Sequence, residues 1–234
     1  MTTIATQRID VTEYRLRLAR PVSPGEATLL RGYFGDVFAD EVLLHHHRPD
    51  GSLNYDYPRV QFKVIDRTAR LIGIAEGGVV VERLWKEANH TRLGGEELPI
   101  LEGTLRRRAE PFGETVEPVE YRFLTPWLGL NQENHPKYLG AESDAERQDL
   151  LGRVLVGNCL SLAKSFGQHV HCRLAAETPG LRSRNSRLKG VPMIGFLGTF
   201  RINFLIPAWL GIGKSVSRGF GTVEPAACGK EDPC

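Results

Sequence analysis

Three consecutive histidines, His45, His46 and His47, are the residues of this sequence best suited to acid–base chemistry. Imidazole titrates near neutral pH, so one ring can accept a proton while a second ring donates one to a leaving group. In an extended segment residues two apart point the same way, which predicts that His45 and His47 share a site while His46 faces elsewhere. Tyr33, nearby in the sequence, can orient a phosphate or a hydroxyl group.

Two other interpretations of the histidine triplet compete with catalysis. Adjacent histidines rarely reach one metal ion from a single strand, and no cluster of Asp, Glu or His at a ligand spacing completes such a site. A structural or surface cluster is the other interpretation. The residues alone leave these alternatives open, and we predict neither a metal ion nor a cofactor.

A second segment with chemical potential lies near the carboxyl terminus, where glycines alternate with basic and hydroxyl side chains. Glycine lets another molecule approach the main chain, while lysine, arginine and serine supply hydrogen-bond donors for phosphate. The segment is therefore predicted to bind an anionic ligand. Its candidate residues are Gly211, Gly213, Lys214, Ser215, Ser217, Arg218, Gly219 and Gly221.

The triplet Gly213-Lys214-Ser215 matches the end of a nucleotide-binding P-loop, but the rest of that motif is missing. The motif requires glycine at position 208, where this sequence has Ala208. It also requires a helix directly after the lysine and serine, whereas Arg218-Gly-Phe-Gly221 follows here. These departures argue against a P-loop nucleotidase. They leave an anion-binding loop or a glycine-rich hairpin without a ligand.

The arginines are clustered, although the chain carries a formal net charge of only +2. Clusters on an otherwise balanced surface favour a local polyanion site over general attraction to membranes or nucleic acid. A solvated charged face is the alternative interpretation of each cluster. The main clusters are Arg182, Arg184, Arg187 and Lys189, and then Arg201, Lys214 and Arg218.

The composition is that of a globular protein, with 234 residues of which 41% are hydrophobic and 25% charged. This length suffices for one large domain or for two smaller ones. No apolar run is long enough to span a membrane, and the amino terminus lacks a signal-peptide pattern. We therefore expect a cytoplasmic protein that does not associate with membranes.

Hydrophobic periodicity predicts the order strand, helix, strand, strand, helix, strand in the first half of the chain. The predicted strands are 11–18, 57–65, 70–75 and one or two within 90–110, and the predicted helices are 24–38 and 77–87. This order is that of the ferredoxin-like unit, in which two helices cover one face of a four-stranded antiparallel sheet. The Pro- and Gly-containing segment 110–114 is predicted to be a linker to a second unit.

The second half predicts another unit of the same kind. A capping box at Ser143 begins a long amphipathic helix that stops at Gly167. The predicted strands are 119–125, a pair at 169–175 and 182–191, then 193–206 and 220–224. We therefore predict tandem ferredoxin-like, RRM-like α+β domains at residues 1–112 and 113–225, with a disordered tail at 226–234. The alternative is a single α+β domain with a larger mixed sheet.

Several segments also resemble a known family. The glycine-rich segment resembles the carboxy-terminal loop of the RAMP superfamily, whose members are built of ferredoxin-like units and bind RNA. More closely, residues 11–224 resemble CRISPR repeat-processing endoribonucleases of the Cas-six family, particularly its subtype I-B-like branch. The residues that carry this resemblance are Leu30-Arg-Gly-Tyr-Phe34, Leu43-Leu-His-His-His47, Tyr57-Pro-x-Val-Gln-Phe-Lys-Val-Ile65, Phe123-Leu-Thr-Pro-Trp-Leu128, Asn131-Gln-Glu-Asn134 and Phe196 through Val223.

The resemblance implies a metal-independent endoribonuclease that cleaves CRISPR repeat RNA to produce mature crRNA. In such enzymes the ribose 2′-hydroxyl attacks the neighbouring phosphate and leaves a 2′,3′-cyclic phosphate and a 5′-hydroxyl. In that branch two histidines separated by one residue are implicated, which corresponds to His45 and His47, although which two of the three histidines act stays open. Lys214, Arg218 or Tyr33 would stabilise charge on the phosphate.

The resemblance also implies CRISPR repeat RNA as the partner, gripped along its backbone by the segment from Arg182 to Lys189. Other subunits of a CRISPR effector complex and a second copy of the chain are further partners that the sequence leaves open. The alternative function is that of a catalytically silent RNA-binding RAMP subunit. The histidine triplet argues against that alternative.

Overall fold

The computed structural model describes residues 7–45, 57–188 and 190–226. The chain is an α+β protein with a large antiparallel sheet, and its residues cluster into two compact units. The N-terminal unit comprises Arg8–Glu110 and Ser215–Gly219, and the C-terminal unit is built mainly on Pro111–Lys214 and the residues from Phe220 onwards. None of the helices in the described residues is long and apolar enough to cross a membrane.

The N-terminal unit contains two helices and an antiparallel sheet. The elements are β1 (Gln7–Leu18), α1 (Ala27–Val37), β2 (Val60–Ile65), β3 (Thr68–Ile74), α2 (Gly77–Glu87), β4 (His90–Leu93) and the first part of β5 (Glu96–Trp127). The strand order is β2-β3-β1-β5; β1 and β2 both pair antiparallel with β3, and β4 pairs antiparallel with β5. The helices and strands predicted for residues 11–87 are confirmed, α2 with the predicted bounds.

Helix α1 forms where the capping box predicted it. The Glu26 carboxylate accepts hydrogen bonds from the main-chain N–H of Ser23 at 2.7 Å and from its hydroxyl at 3.0 Å. Leu30 and Phe34, one helical turn apart, are completely buried against the sheet, where the ring of Phe34 stacks on that of Phe62 at 5.9 Å. Local capping and one apolar stripe thus determine where α1 begins and which face it buries.

The segment 110–114, predicted to be a linker, lies at the boundary between the two units, but its residues form part of the continuous strand β5. Phe112 is completely buried between the rings of Phe166 and Phe204, at 5.5 and 5.3 Å. Gly113 has a φ of +119°, and the pairing with the next strand shifts register just after it. Glycine here marks a bulge in one long strand, close to the boundary between the two units.

The C-terminal unit packs a long helix against a sheet. Its elements are the second part of β5, α3 (Asn134–Gly140), α4 (Asp144–Ser165), β6 (Ala176–Glu177), β7 (Arg182–Leu188), β8 (Val191–Leu205) and β9 (Val223–Pro225). The strand order is β9-β5-β8, with β6 and β7 paired to the other edge of β8. The predicted long helix is confirmed, with Ser143 accepting a hydrogen bond from the N–H of Glu146.

The predicted strand at residues 169–175 is wrong, and β7 instead forms a hairpin with β8. The main-chain N–H groups of His171 and Cys172 donate to the Glu114 carboxylate at 2.7 and 2.8 Å, and that of Ala175 donates to Asn203 at 2.8 Å. Burial opposes the ionisation of Glu114, yet these hydrogen bonds outweigh it and lower its pKa. Side chains thus take the donors that a strand would use.

The described glycine-rich segment between β8 and β9 contains no α-helix, although a ferredoxin-like unit would have its second helix there. Between β8 and β9 the described chain forms only one turn of 3₁₀ helix, Val216–Arg218. Three glycines of this segment, Gly213, Gly219 and Gly221, have positive φ angles of 88°, 92° and 63°. Such backbone angles interrupt a helix, so the glycine-rich segment replaces it.

Candidate functional site

A cleft of about 100 Å³ in the N-terminal unit opens beside His45. Its polar lining comes from α1 and the 3₁₀ turn after it, from the residues just before β2 and just before α2, and from the 3₁₀ turn that follows Ser215. These side chains are Arg31, His45, Tyr57, Arg59, Glu76 and Ser217. The structure thus places a predicted catalytic residue and a predicted ligand-binding residue in the same cleft.

His45 follows a single 3₁₀ turn, Val42–Leu44, and its main-chain N–H donates to the carbonyl of Val42 at 3.1 Å. Its ring packs near Gly35 of α1, where a Cβ atom would lie 3.8 Å from Cε1. The Nε2 atom is buried and has no hydrogen-bond partner within the described part of the chain. Buried polar atoms are normally paired, so this nitrogen is a candidate partner for a ligand in the cleft.

Arg31 and Arg218 bring two positive charges close together at this site. A guanidinium N–H of Arg31 donates to the carbonyl of Leu44 at 3.2 Å. Burial lowers the pKa of Arg31, and the charge of Arg218 lowers it further. Among the described residues neither guanidinium has an ion-pair partner. An anion such as phosphate would relieve this repulsion.

The turn that carries Ser217 is held in place by close packing within the N-terminal unit. A Cβ atom on Gly219 would lie 2.9 Å from Cβ of Ala27 and 3.2 Å from the carbonyl oxygen of Phe62. Lys63, whose side chain is completely buried in β2, donates to the carbonyl of Val216 at 3.2 Å. Burial lowers the pKa of Lys63 to about 7. Position 219 therefore requires glycine because the turn packs closely against Ala27 and Phe62. This packing holds Ser217 at the lining of the cleft.

Tyr33 lies on a different side of α1 from Arg31. Its ring makes an edge contact with His90 at 5.7 Å, and Nε2 of His90 lies 3.1 Å from Glu97. Burial raises the pKa of the Tyr33 hydroxyl. The structure does not bring Tyr33 to the cleft beside His45, whereas Tyr57 lines that cleft. The proposed role of Tyr33 stays a prediction.

His46, His47, Lys189 and residues 227–234 of the predicted tail lie outside the described residues. Within residues 7–45, 57–188 and 190–226, no group of three or more His, Cys, Asp or Glu side chains is arranged to hold a metal ion.

The remaining predicted RNA-binding residues belong to the C-terminal unit. Arg182, Arg184 and Arg187 are exposed on β7, with the first two on one face of the hairpin and the third on the other. Arg201 is exposed on β8, and its guanidinium lies 3.9 Å from Glu177. These side chains can contact a polyanion from solvent.

The first part of the glycine-rich segment also lies in the C-terminal unit. Gly211 forms an isolated bridge with Thr222, and the N–H of Gly221 donates to Pro126 at 2.9 Å. A Cβ atom on Gly213 would lie 2.6 Å from the indole nitrogen of Trp127, so this glycine is required by packing. Ser215 has a positive φ of 59°, and it begins the turn that crosses to the N-terminal unit.

Sequence reasoning missed Arg31, Tyr57, Arg59 and Lys63. Lys63 carries no signal of its burial in the sequence, because alternation in the predicted strand places it with Gln61 on the face opposite Phe62 and Val64. The other three are ordinary surface residue types. Only the folded chain shows that they line the same cleft.

Models of two protein domains match almost the whole chain. The Cas6b N-terminal domain matches residues 7–111, and the Cas6b C-terminal domain matches residues 113–226.

Two solved structures are similar along their full length. A crystal structure of Cas6b superimposes with a TM-score of 0.88 at 34% identity and covers 94% of this chain and 100% of its own. A CRISPR RNA processing endoribonuclease Cas6b gives a TM-score of 0.75 at 32% identity with the same coverage. An uncharacterised protein of Methanocaldococcus jannaschii is 37% identical over 131 residues, which cover 56% of this chain and 88% of that protein.

Proposed function

The chain belongs to the Cas6b family of CRISPR RNA processing endoribonucleases, and from this membership we propose that it binds CRISPR repeat RNA and cleaves it without a metal ion. The products are mature crRNA with a 2′,3′-cyclic phosphate on one side of the cut and a 5′-hydroxyl on the other. The observation that carries the proposal is the buried, unpartnered Nε2 of His45 in a cleft that also holds Arg31 and Ser217.

The proposed reaction is an intramolecular transesterification. The 2′-oxygen forms a bond to phosphorus, and its proton passes to an imidazole that acts as the general base. The bond between phosphorus and the 5′-oxygen breaks, and that oxygen takes a proton from a second imidazole. We assign these two roles to His45 and His47, with His46 as the substitute for either.

The arginines beside His45 suit the charge that this reaction develops. A pentacovalent phosphorane carries more negative charge on its oxygens than the starting diester. Arg31 and Arg218 bear like charges at short range, and Arg31 is partly desolvated. A phosphate between them exchanges this repulsion for two charge-assisted hydrogen bonds, and the bonds strengthen as the phosphorane forms.

The two units are proposed to be copies of one ferredoxin-like fold. In the N-terminal unit, the order β2-β3-β1-β5 is that of a βαββαβ unit, with β4 added as a hairpin. In the C-terminal unit, β9, β5, β8 and β7 take the corresponding places, and the glycine-rich segment occupies the position of the second helix. The exposed Arg182, Arg184, Arg187 and Arg201 are proposed to bind the RNA backbone, and the same role is proposed for Lys189.

The experiment is a cleavage assay with the RNA of the CRISPR repeat in the presence of EDTA. The expected result is cleavage at one position, with a cyclic phosphate on the 5′ fragment. An RNA with a single 2′-deoxy substitution at the nucleotide before the cut should bind but stay intact. Cleavage of that substituted RNA would overturn the mechanism. Binding of the unmodified repeat without any cleavage would instead support a silent RNA-binding subunit of an effector complex.

A further inference from the structure

A second cavity, of about 510 Å³, lies in the C-terminal unit beside helices α3 and α4 and the chain at Gly213. Leu128, Leu150 and Val154 give it an apolar floor. Its polar lining includes Asn131, Lys137, Arg153, Asn158 and Lys214. This size is within the range of small-molecule sites, and it is large enough for one nucleotide.

Asn158 presents a fixed hydrogen-bond donor to this cavity. The indole N–H of Trp127 donates to its side-chain oxygen at 3.1 Å, and Trp127 is completely buried. An indole N–H can only donate, so it determines which end of the amide faces Trp127. The amide nitrogen, with its two hydrogens, is therefore the polar atom left for a ligand.

Asn131 and Lys214 offer further donors to the cavity. The side-chain oxygen of Asn131 accepts the main-chain N–H groups of Glu133 and Asn134 at 3.0 and 2.7 Å, which leaves its amide nitrogen. The ammonium of Lys214 donates one hydrogen bond, to the carbonyl of Leu130 at 2.9 Å, and keeps two hydrogens.

The charges of the cavity have the same sign. Lys137 and Arg153 lie at its rim, where they pair with Glu133 and Asp149. Among the described residues that line the cavity, none is a carboxylate. A surface that offers donors and positive charge fits a ligand rich in acceptors and negative charge.

Gly157 keeps one wall of the cavity open. It lies in the middle of α4, where glycine is less favourable than alanine. No described atom lies within 4 Å of the position that its Cβ would occupy, so packing does not require glycine. Gly152 on the same helix differs, because its Cβ would lie 2.7 Å from the carbonyl oxygen of Ala176. A ligand that approaches the helix at Gly157 explains the residue.

We propose that this cavity is a subsite that binds one nucleotide of the RNA and recognises its base. The phosphate lies at Lys214, the base rests on the apolar floor, and an acceptor atom of the base edge receives a hydrogen from the amide nitrogen of Asn158. Unpaired RNA bases expose carbonyl oxygens and ring nitrogens that accept such bonds. The subsite rests on the proposed function, because it takes RNA to be the ligand.

The first test is the variant Asn158→Asp. Its carboxylate still accepts the Trp127 N–H, but it replaces the donor to the base by a negatively charged acceptor. The dissociation constant for the repeat RNA should rise by about tenfold or more. Gln148→Glu is the matched control, because it makes the same change at an exposed position of α4 outside the cavity. Equal dissociation constants for Asn158→Asp and the wild type would overturn the subsite.

A double-mutant cycle identifies the nucleotide. Repeat RNAs with one abasic position each keep every phosphate but lose one base. Removal of the base at one position should weaken binding to the wild type. The same abasic RNA should bind Asn158→Asp almost as well as the unmodified RNA does, because this variant has already lost the hydrogen bond to that base. Additive losses at every position would overturn base recognition in the cavity.

Gly157→Gln tests the same wall without removing a donor. A longer side chain has room in the free protein, so thermal unfolding should occur at the same or a higher temperature, while RNA binding weakens. Unchanged affinity in a folded Gly157→Gln variant would contradict the subsite.

The same measurements separate the subsite from the proposed function. Failure of the wild-type protein to bind repeat RNA would refute the proposed function. Normal binding by the wild type, with no effect of Asn158→Asp or Gly157→Gln, would refute the subsite alone.

Discussion

The ammonium group of Lys63 donates a hydrogen bond of 3.2 Å to the main-chain carbonyl of Val216, a residue 153 positions later in the chain. Lys63 is completely buried, and burial lowers its pKa to about 7. The bond anchors the 3₁₀ turn Val216–Arg218. Ser217, the middle residue of this turn, lines the cleft beside His45. A buried lysine thus connects strand β2 to the glycine-rich segment.

The pKa of Lys63 predicts a specific pH dependence of stability. Below pH 7 the lysine is protonated in both the folded and the unfolded chain, so its burial penalty is constant. Above pH 7 the folded chain releases the proton that the unfolded chain keeps up to about pH 10.4. The free energy of unfolding should therefore rise with pH in this window, by up to about 1.4 kcal/mol per pH unit from this group.

Urea unfolding of the wild type and of Lys63→Met at pH 7, 8 and 9 measures this effect. The difference between the two proteins removes the contributions of all other groups. The wild type should gain stability relative to the variant as the pH rises. A difference that is independent of pH would contradict the lowered pKa of Lys63.

Gly219→Ala should destabilise the N-terminal unit by about 2 to 4 kcal/mol. The positive φ of 92° strains any residue with a Cβ atom, and that atom would lie 2.9 Å from Cβ of Ala27. Gly25→Ala is the control, because no described atom lies within 4 Å of its Cβ position. Chemical denaturation gives both values, and equal stability of the two variants would show that the turn adapts freely.

Arg31→Met should weaken repeat RNA binding and reduce its salt dependence. Loss of one phosphate contact lowers the slope of log affinity against log salt concentration by roughly one. The free energy of unfolding should fall by no more than about 1 kcal/mol. The variant loses the hydrogen bond from Arg31 to the Leu44 carbonyl, but it also loses the repulsion between Arg31 and Arg218, which partly offsets that loss.

Arg17→Met removes an exposed arginine that pairs with Glu102, and it serves as the control for the Arg31 variant. Filter binding at four salt concentrations gives both slopes. An unchanged slope for Arg31→Met would mean that Arg31 does not contact phosphate.

His45→Ala should reduce the single-turnover rate of repeat cleavage by about a hundredfold or more, the usual loss on removing a general acid or base. The RNA should still bind, because the arginines that contact phosphate are intact. His135→Ala, at an exposed position of α3, should cleave at the wild-type rate. Full activity in His45→Ala would transfer the catalytic role to His46 and His47.

Several features of the fold could be predicted from the sequence because neighbouring residues determine them. The capping box at Ser23 and the apolar spacing after it are sufficient to locate α1, and alternation is sufficient to locate β2 and β3. The same local logic failed at Pro111 and Gly113. There a proline and a glycine indicate a linker, but the burial of Phe112 keeps the strand continuous.

Residue types alone led to the prediction that His45 and the glycine-rich segment take part in the chemistry of the site. Only the tertiary structure decided that Ser217 lies beside His45, that Tyr33 lies on another side of α1, and that Lys63 is buried beneath Val216. Hydrogen-bond capping and hydrophobic periodicity act over a few residues, so the sequence shows them directly. Contacts between residues far apart depend on how whole elements pack, and packing is a property of the folded chain.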